Sequence, residues 1–364
     1  MSSLFGDYFK VMTFGESHGA MVGCVVDGCP AGVSLPLEAV ARFLRRRRPG
    51  QSDFTSPRKE GDVPRIVSGV EQEVTLGTPI CILVENENQR SADYQDMAQI
   101  FRPSHADYTY QQKYGIRAVA GGGRASARET IGRVAAAAVA QQALLAKFPQ
   151  LEVVGFVRSV GDLEIPPSLD QSHVTLEQVE NSPVRCPDPS TSLAMEQRIL
   201  EVKQAGDTLG GQVGCVVRHC PVGWGEPVFD KLEALLGRAC LSLPASKSFE
   251  LGSGLAGTKM LGSQHNDVFY TTAQGEVLTK TNHSGGVQGG ISNGMPLEIR
   301  VGFKPVATLF KPQETITKQG ENVLFAPNAG RHDSCVLPRA VPMVEAMVWL
   351  VLMDLYLASL GNRW

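Results

Sequence analysis

The 364-residue sequence predicts an α+β sandwich, because strand-like stretches occur both early and late in the chain with helical stretches between them. Hydrophobic residues make up 43% of the chain and charged residues 20%, which provides enough apolar material for a large core. The glycines and prolines are spread throughout, and no linker-like stretch separates two halves. We therefore expect one domain spanning residues 1–364.

The order of the elements follows from the spacing of apolar residues. Stretches rich in β-branched residues predict buried strands at residues 22–26, 80–85, 213–217 and 297–303. Apolar residues with helical spacing predict helices at residues 37–48, about 126–147, and 342–361. The second helix contains four consecutive alanines, which allow close packing on several sides. The third is interrupted by Glu345 and Asp354, so it predicts a core helix and no membrane span.

Charge and cysteine content exclude several function classes. A net charge of −3 creates no overall field that would attract nucleic acid or an anionic membrane. The first residues lack the basic and apolar regions of a cleavable signal, which predicts a cytoplasmic protein. The eight cysteines are expected to be buried thiols in a reducing compartment. Cysteines five residues apart on a strand point to opposite faces, so the pairs Cys24/Cys29 and Cys215/Cys220 predict no metal site.

The segment F-G-E-S-H-G at residues 14–19 contains the G-x-S-x-G spacing of a serine hydrolase. That motif requires a strand before the serine and a helix after it, whereas the residues after this one predict a strand. A glycine turn between two strands is the alternative interpretation. The neighbouring glycines would let a substrate approach His18, which makes this histidine a candidate acid.

Two further segments place cations where an anion could bind. Four consecutive arginines, residues 45–48, end the first predicted helix, and at most two of them can point in one direction. They are either a solvated helix end or a grip on phosphate or carboxylate. The segment R-P-S-H-A-D at residues 102–107 places His105 between an arginine and an aspartate, a setting suited to acid–base chemistry.

Glycine-rich segments give the strongest local signal. G-G-G-R-A-S-A-R-E-T at residues 121–130 combines a pliable backbone, two arginines and a following helix N-terminus, which predicts an anion site that is not a P-loop. The glycine-dense loop at residues 282–294 is suited to lining a flat ligand. The G-x-G-x-x-G spacing at residues 252–257 is followed by no helical pattern, so it does not predict a dinucleotide site.

Taken in order, these segments resemble the chorismate synthase family over essentially the whole chain. Residues 14–19 are similar to its F-G-E-S-H-G, residues 47–50 to R-R-P-G, and residues 102–107 to R-P-G-H-A-D. Residues 121–130 are similar to G-G-G-R-S-S-A-R-E-T, residues 263–267 to the S-x-H-N-D of G-S-x-H-N-D, and residues 331–342 to R-H-D-P-C-x-x-x-R-A-V-P.

The resemblance implies a lyase that converts 5-enolpyruvylshikimate 3-phosphate to chorismate and phosphate by trans-1,4-elimination. It also implies reduced FMN as cofactor, with electrons from NADPH or from a separate flavin reductase. The implied fold is a β-α-β sandwich with core helices between two antiparallel sheets, and the implied assembly is a homotetramer.

The resemblance also assigns residues. Its catalytic group corresponds to Ser17, His18, His105 and Asp333. Its substrate-binding arginines correspond to Arg47, Arg48, Arg128 and Arg339. Its FMN-binding residues correspond to Arg124, Ala125, Ser126, Pro244, Ala245, Gly289, Lys304, Pro305, Val306, Ala307, Thr308 and Arg331.

The chain departs from the family pattern near these residues. Asp53 stands where an arginine is common, and it would repel phosphate unless Arg58 compensates. The other departures are Ser104 for glycine, Ala125 for serine, Ser334 for proline, and Ser246 and Ser248 within a segment that is usually A-V-K-G. A serine hydrolase using Ser17 and a phosphate-ligand-binding protein without turnover are the alternative functions.

Overall fold

The computed structural model describes residues 3–51, 60–87, 98–118, 121–327 and 333–361. In chain order the strands are β1 (Leu4–Phe5), β2 (Lys10–Phe14), β3 (Met21–Asp27), β4 (Pro64–Ser68), β5 (Val70–Glu71), β6 (Val74–Thr75), β7 (Ile80–Glu85), β8 (Glu152–Val160), β9 (Leu163–Glu164), β10 (Gly211–Arg218), β11 (Ser246–Leu251), β12 (Phe269–Thr271), β13 (Val277–Thr279), β14 (Val287–Gln288), β15 (Ile291–Ser292), β16 (Leu297–Phe303), β17 (Gln313–Ile316) and β18 (Asn322–Phe325). The α-helices are α1 (Leu37–Arg47), α2 (Asp107–Tyr114), α3 (Thr130–Leu145), α4 (Leu176–Glu180), α5 (Pro189–Gln204), α6 (Leu232–Leu241), α7 (Gly254–Gly257), α8 (Gly262–His265) and α9 (Leu337–Ser359).

Two five-stranded antiparallel sheets form the outer layers. The first sheet has the order β1-β2-β3-β7-β4, and the second has the order β11-β16-β10-β8-β9. Each of the four predicted strands lies within one of these sheets. The buried sides of both sheets contribute to a continuous core of Val, Ile, Leu and Ala side chains.

Helices fill the space between the sheets. Helix α3 packs against β2, β3 and β7 of the first sheet, α9 packs against β8 and β10 of the second, and α3 and α9 pack against each other. A Cβ at Gly132 would lie 2.6 Å from the carbonyl oxygen of Gly23, so glycine is required where α3 meets β3. The predicted sandwich with helices between two antiparallel sheets is thus confirmed.

Helix α9 begins five residues before the prediction and contains Pro342 within its first turns. Proline has no N–H to donate to the carbonyl four residues earlier, and the Arg185 guanidinium donates to that carbonyl of Pro338 instead. The helix is long and apolar enough to cross a membrane, but 83% of its most apolar window is buried inside the fold. It is the core helix that the sequence predicts.

The cysteines provide a test of this packing. All eight are free thiols, seven of them buried and Cys81 partly exposed. Burial raises the pKa of Cys240 and Cys335 to about 12, so these thiols stay protonated and unreactive at neutral pH. At pH 8 we expect a thiol reagent to modify only Cys81 in the folded protein and all eight cysteines in denaturant. Rapid modification of Cys24 or Cys240, measured by peptide mapping, would contradict the buried core.

Candidate active site

A cavity of about 1,320 Å³ lies where loops from both sheets meet the start of α9. Segments far apart in the chain line it: residues 16–18, 104–107, 121–129, 242–247 and 303–308. The fold therefore brings the histidine-containing and glycine-rich motifs of the sequence to one place.

Most of the predicted site residues line this cavity. They are Ser17, His18, Arg47, His105, Arg124, Ala125, Ser126, Arg128, Pro244, Ala245, Lys304, Pro305, Val306, Ala307, Thr308, Asp333 and Arg339. Two predicted residues lie elsewhere: Arg48 is exposed after the last turn of α1, and Gly289 lies in the turn between β14 and β15. Arg331, Asp53 and Arg58 lie outside the described residues.

Ser17 and His18 occupy the connection between β2 and β3, which pair as an antiparallel hairpin. Ser17 is buried, and its Oγ lies 3.1 Å from His18 Nδ1. A hydrolase elbow needs a helix after the serine, whereas a strand follows here. Gly121, with φ of +71°, lies against the His18 ring, and a Cβ there would come within 2.4 Å of Nδ1. The geometry favours a proton-transfer pair and gives no support to a hydrolase nucleophile.

His105 lies in the acid loop, which we define as residues 102–107. Its Nδ1 lies 2.8 Å from Asp107 Oδ1, and Asp107 also accepts hydrogen bonds from Arg102 at 2.7 and 2.8 Å. Arg117 Nη1 is 2.9 Å from the same carboxylate. Arg102 Nη2 also lies 3.1 Å from His105 Nδ1. Because Asp107 and Arg102 both contact Nδ1, the other ring nitrogen, Nε2, is the one left to serve a ligand.

The four arginines at the end of α1 point in different directions and have different surroundings. Arg45 pairs with exposed Glu38, and Arg46 pairs with Glu180 and with buried Glu345 on α9. Arg47 alone lines the cavity. Successive residues on a helix turn by about 100°, so one arginine faces the cavity while its neighbours serve other contacts.

Arg47, Arg128 and Arg339 line one side of the cavity, which we call the arginine wall. Arg339 Nε donates to the carbonyl oxygen of Arg47 at 3.3 Å, and its Nη1 donates to Asp333 Oδ2 at 2.6 Å. Burial, assisted by the positive charges of Arg339 and Arg128, lowers the pKa of Arg47 to about 9. Arg47 thus remains a cation at neutral pH, and the arginine wall is a place for an anion.

The glycine-rich segment folds as two 3₁₀ turns, Gly123–Ala125 and Ala127–Glu129, before α3 begins. Ser126 caps the second turn by accepting from the backbone N–H of Arg128 at 3.3 Å. Arg124 is turned toward β2, where it donates to the Thr13 hydroxyl at 2.7 Å and to the carbonyl oxygen of Gly15 at 3.2 Å. Arg124 therefore holds the glycine-rich segment against the first sheet.

Two lysines line the cavity near the end of β16. Lys304 Nζ donates to both the hydroxyl and the carbonyl oxygen of Ser104, each at 2.6 Å. Partial burial and the positive charge of Lys247 lower the pKa of Lys304. Ser104 has φ of +59°, a left-handed conformation that glycine adopts without strain. Its side chain offsets part of that strain by accepting from Lys304.

Sequence reasoning did not assign several residues that the fold brings to this site. Asp107 and Arg117 hold the acid loop, Asp62 lies behind the arginine wall, and Tyr110 and Tyr114 line the cavity mouth with their ring centres 5.6 Å apart. Asp107 was visible as part of R-P-S-H-A-D. Asp62 carried no signal, because an acidic residue in the short segment K-E-G-D-V-P at residues 59–64 belongs to no recognisable motif.

Comparisons with known proteins identify the family of this chain. The family model described as chorismate synthase matches residues 9–357. A chorismate synthase from Synechococcus elongatus is 59% identical over 354 residues, covering 97% of each chain, and one from Nostoc punctiforme is 55% identical over 362 residues, covering 100% of this chain and 99% of the relative. A crystal structure of chorismate synthase superposes with a TM-score of 0.77 at 29% identity, covering 98% of this chain and 94% of the other. This chain therefore belongs to the chorismate synthase family of shikimate-pathway lyases, which convert 5-enolpyruvylshikimate 3-phosphate to chorismate and phosphate.

Proposed function

We propose that the cavity binds reduced FMN beside 5-enolpyruvylshikimate 3-phosphate and that its own residues drive the trans-1,4-elimination of phosphate. One observation carries this proposal: two histidines and the three cations of the arginine wall line a single cavity. Elimination of phosphate requires a proton donor and fixed positive charge where the leaving group develops negative charge. The cavity contains groups of both kinds.

The cavity lining suits the chemistry of FMN, which combines a flat ring with a phosphate. Pro244, Val306 and Met343 offer apolar surface for a ring, and the ammonium groups of Lys247 and Lys304 suit a phosphate. We assign FMN binding to residues 124–126, 244–245 and 304–308, and retain Arg331 as a prediction. When bound, the reduced flavin supplies the electron density that weakens the bond to phosphate and takes part in removing hydrogen at the far carbon.

His105 is the acid for the departing phosphate. Asp107 accepts at Nδ1, which directs the other ring nitrogen, Nε2, to the substrate as a proton donor. The arginine wall stabilises the negative charge that grows on the phosphate oxygens. Arg48, which is exposed, stays a prediction for this step.

His18, Ser17 and Asp333 handle protons on the flavin side of the cavity. A protonated His18 balances the negative charge of a reduced flavin. Ser17 Oγ is within hydrogen-bond distance of His18 Nδ1, so a proton can pass between them. We assign Asp333, which accepts from Arg339, to the same relay because the resemblance to the family places it there.

The direct test is turnover by the purified chain without oxygen. With FMN, dithionite and substrate, we expect equal amounts of chorismate and phosphate, measured by absorbance and by a phosphate assay. Substrate binding without phosphate release would favour a binding protein, and labelling of Ser17 by a fluorophosphonate would favour a hydrolase. Replacing dithionite by NADPH decides whether the chain reduces FMN itself or depends on a separate flavin reductase.

The proposal extends to assembly and location. We propose that residues 1–364 form one domain, which the continuous core supports, and that four copies assemble in the cytoplasm. Apolar side chains that stand in solvent on one chain, such as Phe229 at 87% exposure, support burial between copies. Sedimentation equilibrium tests the tetramer.

A further inference from the structure

A carboxylate lies directly behind the arginine wall. Asp62 Oδ2 accepts from Arg47 Nη1 at 3.1 Å, and its other oxygen accepts from Arg128 Nη1 at 3.0 Å. Its side chain is completely buried. Both arginines are among the described residues that line the cavity, whereas Asp62 and Glu60 are not. Asp62 can therefore act on a bound ligand only through the two arginines.

Among the described residues, each arginine of the wall has a carboxylate partner. The three arginines face three carboxylates: Asp62 between Arg47 and Arg128, Glu60 at 3.6 Å from Arg128, and Asp333 on Arg339. All six residues are more than nine-tenths buried. In such a weakly polar setting each carboxylate strongly offsets the potential that its arginines present to the cavity. In the described part of the chain, the wall thus offers N–H donors in fixed positions whose charge is partly offset by these carboxylates.

We propose that Asp62 is a positioning residue that sets the phosphate affinity of the arginine wall low enough for the product phosphate to leave. The inference rests on the proposed function, which places the phosphate of the substrate at this wall. A group bound equally tightly before and after the reaction does not accelerate it, and a product held too tightly makes release limiting. Asp62 lowers the resting attraction for phosphate while keeping both guanidinium groups aimed at the cavity.

Asp62 could instead be a structural clamp only. The two roles predict opposite results for Asp62→Asn, which keeps the shape of the side chain and removes its charge. Loss of a clamp would let Arg47 and Arg128 move and would weaken anion binding. Loss of a balancing charge leaves one more positive charge at the wall and strengthens anion binding.

The experiment measures the binding of inorganic phosphate by calorimetry in the wild type and in Asp62→Asn. In Asp62→Asn we expect the dissociation constant for phosphate to fall about tenfold or more. A tenfold change in affinity requires only a small part of the energy of one unscreened interaction between two charges. Phosphate should also become a stronger product inhibitor of chorismate formation, and slow release of phosphate should reduce kcat.

The matched control is Glu345→Gln, which removes an equally buried carboxylate that pairs with Arg46 and does not line the cavity. Its phosphate affinity should equal that of the wild type.

Unchanged or weaker phosphate binding in Asp62→Asn would overturn the inference. If that variant does not fold, Glu60→Gln decides, because it removes the more distant partner of Arg128 and should tighten phosphate binding in the same direction by a smaller factor. The inference and the proposed function can fail separately. A wild-type chain that makes chorismate while both variants bind phosphate no more tightly retains the function and refutes the role of Asp62.

Discussion

His105→Ala is expected to lower kcat for chorismate formation by about 100- to 10,000-fold, the usual contribution of a positioned general acid. The alanine variant has no group that can replace Nε2–H at the leaving phosphate. FMN affinity should remain nearly unchanged, because the residues assigned to the flavin lie on other segments. The measurement is single-turnover chorismate formation with pre-reduced FMN, alongside a fluorescence titration of FMN binding.

His173→Ala is the matched control for that experiment. His173 is an exposed histidine paired with Asp170, and its side chain is 82% accessible. Removing it should leave kcat unchanged. A wild-type rate in His105→Ala would refute the acid role. A parallel loss of FMN affinity would show instead that His105 supports the cavity as a whole.

Asp107→Ala is expected to cost about 3–5 kcal/mol of unfolding free energy, the usual effect of removing one partner from a buried ion pair. Arg102 and Arg117 are each only 5% exposed in their side chains, and both would lose their carboxylate. We expect this loss in urea unfolding at pH 7. Asp170→Ala, which removes an exposed carboxylate, should cost no more than about 1 kcal/mol. A loss of similar size in both variants would contradict the buried network.

The contribution of Asp107 to the free energy of unfolding depends on pH in a defined direction. Burial disfavours the charged form of Asp107, but hydrogen bonds from Arg102 and His105 outweigh it and hold the pKa well below its usual range. A carboxyl with a lowered pKa stabilises the fold fully above the unfolded pKa of about 3.9 and loses this contribution as the pH falls toward the folded pKa. The stabilising contribution of the Asp107 carboxylate should therefore be present at pH 5 and shrink as the pH falls below about 4.

Elements set by local periodicity were predictable. The first helix was expected at residues 37–48 and runs over Leu37–Arg47, because the Pro49-Gly50 pair ends it. The ends of the other two helices depended on distant contacts. The last helix extends back to Leu337 because Arg185 satisfies the Pro338 carbonyl, and α3 begins late because the preceding residues form two 3₁₀ turns at the cavity.

The residues of the candidate site also divide into those that the sequence predicted and those that it did not. Residues in dense motifs, such as His18, His105 and Arg128, were found from the sequence because glycine, histidine and arginine together are chemically distinctive. Asp62 and Arg117 were missed, since their partners come from segments far along the chain. The sequence predicts both Arg47 and Arg48 as anion-binding residues, and only the end of α1 in the structure shows that Arg47 lines the cavity while Arg48 is exposed.

The sequence by itself determined the periodicity of the strands and helices, the family, and hence the reaction, because these depend on residue types and their order. Only the tertiary structure decided which charges face the cavity and which carboxylates compensate them. The physical reason is the distance over which each effect acts. Helix and strand patterns depend on residues close together along the chain. The partner of a buried charge is a residue that the packing of sheets and helices places within a few ångströms of it in space.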